Sequence, residues 1–104
     1  MSQTLSKNII LQKLSDHQKE LIGYGVEQIG LFGSYVRNEA TVNSDVDLLV
    51  DINKNKKTFR NFMALCYYLE DLLGSKVEVV TKQSLSPYIG PHILKTVEYV
   101  SLTV

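Results

Sequence analysis

Ile10, Leu11, Leu14, Leu21 and Ile22, with Gln18 as one polar interruption, follow helical spacing and predict a helix over residues 6–22, capped by Ser6. Gly23 and Gly25 break it. No strand precedes this glycine pair and no third glycine follows at dinucleotide-loop spacing, so the pair reads as a helix stop and turn. Residues 26–32, VEQIGLF, predict a strand running into Gly33-Ser34. A short helical turn over Tyr35 to Asn38 and a polar loop over 39–44 follow. Residues 45–52, DVDLLVDI, alternate and then become solidly apolar, the pattern of a central strand. Asn53 to Lys57 is a polar, lysine-rich loop.

Phe59, Phe62, Met63, Cys66, Leu69 and Leu73 predict a helix over 58–73, capped by Thr58 and closed by Gly74. This rhythm points Cys66 into the core as a structural thiol. One of Tyr67 and Tyr68 is expected to be half-buried. KVEVVT, residues 76–81, is a β-branched strand. Ser86-Pro87 begins a last helix and Pro91 interrupts it, so that helix starts twice, with Ile93, Leu94 and Val97 as its apolar face. Tyr99 to Val104 is short and β-prone, an edge strand or a partner-binding tail. The order helix, strand, strand, helix, strand, helix predicts one α/β (α+β type) domain over 1–104, a small mixed sheet with helices packed on it.

Eleven Lys and Arg balance eleven Asp and Glu, so the net charge is zero. That balance excludes a broadly basic nucleic-acid face, and no direct nucleic-acid contact is expected. Lys54, Lys56 and Lys57 read as a solvated loop. A single cysteine makes no internal disulfide and no cysteine zinc site. His17 and His92 lack partners at metal-ligand spacing. The opening residues MSQTLSKNII hold no apolar signal core, and no apolar run reaches the ~18 residues of a membrane span. A soluble, cytoplasmic protein is expected.

The chemistry concentrates in Gly33 to Asp47, GSYVRNEATVNSDVD. Asp45 and Asp47, two apart on a strand, project to one side about 6–7 Å apart. Such a pair is costly unless it stays in water or holds a cation, and Mg²⁺ accepts one or two carboxylates plus phosphate oxygens. Gly33 lets a backbone approach an anion, and the N–H groups of the following turn favour phosphate, with the Ser34 hydroxyl adding a hydrogen bond. Glu78 is a charge within the apolar strand KVEVV. If that strand lies beside 45–52, Glu78 faces both aspartates, as a third metal ligand that helps deprotonate an attacking hydroxyl. Arg37, one turn after Ser34, is a candidate phosphate contact or a plain surface residue.

Gly-Ser, ten residues, then Asp-x-Asp resembles the signature of the nucleotidyltransferase superfamily typified by DNA polymerase beta. The tract GSYVRNEATVNSDVDLLVDI, with KVEVVT and LSPYIGPHILKTVEYV, is similar to the minimal nucleotidyltransferase (MNT) branch from about residue 25 to 100. Members of that branch resemble antitoxins paired with HEPN-domain ribonuclease toxins. The resemblance implies a nucleotidyltransferase-like fold and transfer of AMP from ATP to a toxin tyrosine at a two-Mg²⁺ site. It assigns Gly33 and Ser34 to phosphate, and Asp45 and Asp47 to metal. Glu78 stands where the superfamily most often has aspartate, one methylene shorter. This departure leaves a second reading, neutralisation of a HEPN partner by docking alone. Open sheet edges also admit a homodimer or a hetero-oligomer with the toxin.

Overall fold

The computed structural model describes residues 5–41 and 43–102. Positions 1–4 of the leading stretch, position 42 of the 39–44 loop and the last two positions of the C-terminal tail lie outside the described residues.

Helix α1 spans Lys7–Asp16, with Ser6 Oγ accepting from the Ile9 N–H at 3.3 Å. The helix expected over 6–22 is in fact two, because the backbone leaves helical geometry at His17. The His17 ring nitrogen Nδ1 sits 2.8 Å from the Lys13 carbonyl. That carbonyl is the partner a continuing helix would give to the His17 N–H, which instead bonds Leu14 O at 3.3 Å. Helix α2, Gln18–Gly23, then leads into the sheet.

Strands β1 (Val26–Phe32), β2 (Val46–Ile52), β3 (Val77–Thr81) and β4 (Glu98–Val100) form a four-stranded mixed sheet in the order β3-β2-β1-β4. β1 runs antiparallel to both β2 and β4, and β2 parallel to β3. The parallel pair needs a crossover, which helix α3 (Phe59–Leu73) supplies. Thr58 Oγ1 accepts from the Asn61 N–H at 3.1 Å, and Gly74 ends α3 in the left-handed region, φ 64°, as a helix stop requires. The tail predicted from Tyr99 is the edge strand β4, which begins one residue earlier.

Strand alternation separates two faces. On one, Ile29 and Leu31 of β1 and Val46, Leu48, Val50 and Ile52 of β2 pack with Ile10, Leu14 and Leu21 of the first helices and Leu65, Leu69 and Leu73 of α3. Val100, in the β-prone tail, is buried in this core. The predicted face of α3 is rotated. Leu65 is fully buried, whereas Phe59 is 80 % exposed and Cys66 only half-buried. Burial, and secondarily Glu70, push the Cys66 thiol up, away from thiolate reactivity. Tyr68 is the half-buried tyrosine of its pair, tilted against Tyr24 with ring centroids 5.3 Å apart.

Helix α4 spans Gly90–Thr96, with proline in its first turn. A separate turn precedes it, where the Gly90 N–H bonds Ser86 O at 2.8 Å and the Ile89 N–H bonds Ser86 Oγ at 3.0 Å. The two starts expected from Ser86-Pro87 and Pro91 are both present. Ile93 is half-buried, but Leu94 is exposed. This turn and α4 lie over the second face of the sheet, which carries Phe32, Asp47 and Glu78. Among the described residues no helix is long and apolar enough to cross a membrane.

Candidate active site

The register of the sheet brings the predicted residues together. Asp47 pairs with Phe32 on β1 and with Glu78 on β3, so the three side chains share a face. Asp45, one residue before β2, lies on the same side by alternation and is exposed. Glu78 is exposed and Asp47 is half-buried between the neighbouring strands.

Immediately after β1 the chain enters a tight turn, Gly33–Tyr35, in which Gly33 O accepts from the Val36 and Arg37 N–H groups at 3.1 and 3.2 Å. Tyr35 is buried in the core and pins the turn. Gly33 has φ 82°, and a Cβ there would land on Asp47 Oδ2. Only glycine therefore permits the turn to lie against this carboxylate. Arg37, exposed, donates from Nε to Glu39 at 3.1 Å. Its charge is also felt by Asp47, as the weakest of the influences on it.

Asp47 is the electrostatic centre. Burial first, then repulsion from Glu78, a hydrogen bond to Glu78 that favours the protonated form, and the charge of Asp45 raise it from 3.8 to about 6. Arg37 opposes them. An all-oxygen donor set carrying unresolved negative charge fits a hard cation such as Mg²⁺. Among the described residues, no three His, Cys, Asp or Glu side chains already stand as a metal cage. Asp45, Asp47 and Glu78 fit an ion whose shell is completed by phosphate oxygens.

Sequence reasoning did not bring Leu85, Ile89 and Ile93 to the site. Leu85, Ile89 and Ile93 close a groove of about 390 Å³ that opens from Asp47 and Glu78. Their signal was present, since the three apolar residues recur every four positions. Tyr88, Ile89 and Tyr99 are exposed, and Lys82 Nζ lies 5.8 Å from the Tyr99 ring centre.

The sequence model of the nucleotidyltransferase domain matches residues 8–100. The chain belongs to the nucleotidyltransferase domain family. Among its relatives, the protein adenylyltransferase MntA of Thermococcus cleftensis is 48% identical over 88 residues, covering 84% of this chain and 88% of the relative. A solved structure provisionally assigned as a minimal nucleotidyltransferase superposes with a TM-score of 0.72 at 27% identity, covering 93% of this chain and 98% of that one. The fold recurs in toxin–antitoxin complexes. One solved with AMP-PNP matches with a TM-score of 0.64 at 23% identity, covering 83% of this chain and 73% of that chain. A chain in the complex of a tri-AMPylated Shewanella oneidensis HEPN toxin with its MNT antitoxin matches with a TM-score of 0.56 at 20% identity, covering 84% and 71%. The mixed sheet and its helices are therefore those of the minimal nucleotidyltransferase fold.

Proposed function

We propose that this nucleotidyltransferase is an antitoxin that transfers AMP from ATP to the hydroxyl of a tyrosine on a HEPN-domain toxin. The observation that carries this reading is the register of Asp47 against Glu78, with Gly33 closed onto the Asp47 carboxylate. The likeness to a protein adenylyltransferase and the recurrence of the fold in toxin–antitoxin complexes support it.

In this mechanism the turn at Gly33-Ser34 holds the β- and γ-phosphates through backbone N–H groups and the Ser34 hydroxyl, and Arg37 reaches the phosphates after leaving Glu39. Asp45, Asp47 and Glu78 would hold Mg²⁺, which would supply charge neutralisation on the phosphates and a more acidic acceptor hydroxyl. Glu78 would help take the proton from the acceptor hydroxyl. The acceptor oxygen bonds to the α-phosphorus, the bond from that phosphorus to the bridging oxygen breaks, and pyrophosphate leaves. The proton passes to a carboxylate oxygen.

ATP labelled at the α-phosphate tests the reading. With Mg²⁺ and the HEPN partner, label is expected on the partner with the wild-type protein and absent with Asp45→Asn/Asp47→Asn. Label transferred equally by that double variant would sink the mechanism. Neutralisation of the toxin by the double variant, with no label, would assign the protection to docking.

A further inference from the structure

The candidate active site lies at the end of the sheet where β1 finishes and β2 begins. The opposite end, where β2 finishes at Ile52, carries a different surface. Lys54, Lys56, Lys57 and Arg60 cluster there, and no Asp or Glu occurs between Asp51 and Glu70. Residues 54–60 are all exposed. Among the described residues the ion pairs are Lys7 with Glu98 and Arg37 with Glu39, so none of these four cations has an ion-pair partner. A chain that is neutral overall thus concentrates positive charge on one loop.

Beside this loop lies a groove of about 320 Å³, to which Ile52, Phe59 and Phe62 give apolar walls and Lys57 a charged edge. Phe59 leaves most of its ring in water at that edge. The loop is fastened at several points. Asn53 Oδ1 accepts from the Asn55 N–H at 2.8 Å, and Asn61 Nδ2 donates to Tyr24 O at 2.7 Å and to Lys56 O at 2.9 Å. The cations and the groove are therefore held in a fixed relation. A merely solvated lysine loop needs no such fastening, whereas a recognition surface is strengthened by it, because less order remains to be imposed on binding.

We propose that this end of the molecule is a docking surface for a protein segment that carries one large apolar side chain flanked by acidic residues. The apolar side chain enters between Ile52, Phe59 and Phe62, and the flanking carboxylates meet Lys54, Lys56, Lys57 and Arg60. A nucleobase would bring polar edges to be met. Thr58 Oγ1 and Gln83 Nε2, both beside the groove, are instead turned to the Asn61 N–H at 3.1 Å and to Asp51 Oδ1 at 3.3 Å. A second copy docking through the same face would set four cations against four. Asp47 and Ile52 are five residues apart on β2, roughly 17 Å, so a segment held here leaves the Gly33-Ser34 turn and the site carboxylates open. The inference goes beyond the adenylyl-transfer reading and does not depend on it.

The probe is a short fluorescein-labelled peptide of glutamates around one central leucine, titrated with the full chain and followed by anisotropy and by NMR amide shifts. Binding is expected, with shifts centred on Lys57, Phe59 and Phe62. Serine in place of the leucine should weaken it about tenfold, and lysines in place of the glutamates should abolish it. Phe59→Ala, which removes an exposed ring and leaves the core untouched, should weaken the leucine peptide about fivefold. The charge reversal Lys54→Glu/Lys57→Glu should weaken it about tenfold, and both variants should bind AMP-PNP within about twofold of wild type. No binding, equal binding of the serine peptide, or shifts centred elsewhere would overturn the docking surface. Oligouridylate bound more tightly than the peptide, and lost in the same variants, would make the surface a nucleic-acid site instead. Self-association abolished by Phe59→Ala would make it a contact between copies. Label transfer from ATP decides the reaction separately, since the peptide titration has no bearing on it.

Discussion

The two faces of the sheet are built from the same strands and obey different rules. On the helix-covered face, Leu48 and Val50 of β2 meet Leu31 and Ile29 of β1 beneath α1 and α3, and these four side chains are apolar and buried. On the other, Asp47 sits between Phe32 and Glu78 with like charges unresolved around it. Leu48 and Asp47 are neighbours in sequence, but one is held by burial and the other sits in a place that costs stability. The first face fixes the strands, and the second uses that rigidity to keep repelling carboxylates together. Repulsion of this kind persists only where the surrounding structure over-determines it.

The sharpest way to break this division is Asp47→Asn. On the proposed mechanism it should lower AMP transfer about a thousand-fold, the effect of losing several kcal/mol of metal-assisted stabilisation, while the circular dichroism spectrum stays that of the wild type. Leu48→Ala attacks the opposite face. It should lower unfolding free energy by about 3 kcal/mol in urea titration, and the fraction still folded should retain transfer. Gly33→Ala crosses the division, because its Cβ meets Asp47 and its φ is positive. It should cost about 2 kcal/mol by the same titration and also weaken binding of AMP-PNP, measured calorimetrically.

The smallest effect sharpens the comparison through pH. Asp47 binds its proton more tightly folded, at about 6, than unfolded, at 3.8. The stability this contributes is full below 3.8 and is lost as pH rises through about 6. In metal-free protein, thermal unfolding from pH 4 to pH 7 should therefore show a loss in wild type that Asp47→Asn lacks. The difference should be on the order of 1 kcal/mol, since partial exposure of the carboxyl screens its neighbours. A variant as pH-sensitive as wild type would remove Asp47 as the source.

Much of this was legible because it is local. Thr58 and Gly74 bracket α3, strand alternation marks β2, and the Gly-Ser to Asp-x-Asp spacing marks the candidate site. The Asp47–Glu78 pairing was legible only conditionally, since nothing in KVEVVT says which strand lies beside it. The break at His17 was hidden because a ring nitrogen can take a backbone carbonyl without leaving a trace in the hydrophobic pattern. The face of α3 was misjudged for a related reason. Phe59, Phe62, Met63, Leu65, Cys66, Leu69, Leu72 and Leu73 cover more than one stripe of the helix, and periodicity alone does not say which stripe is buried.

By itself, the sequence determined the strands, the capped crossover helix and the residues that carry charge into an apolar sheet, because propensity, capping and alternation act over a few neighbours. Only the tertiary structure decided which stripe of α3 is buried, that Gly33 closes on Asp47, and that Leu85, Ile89 and Ile93 wall a groove at Glu78. Those outcomes depend on strand order and on how α3 and α4 dock, where contacts distant in sequence outweigh local preference.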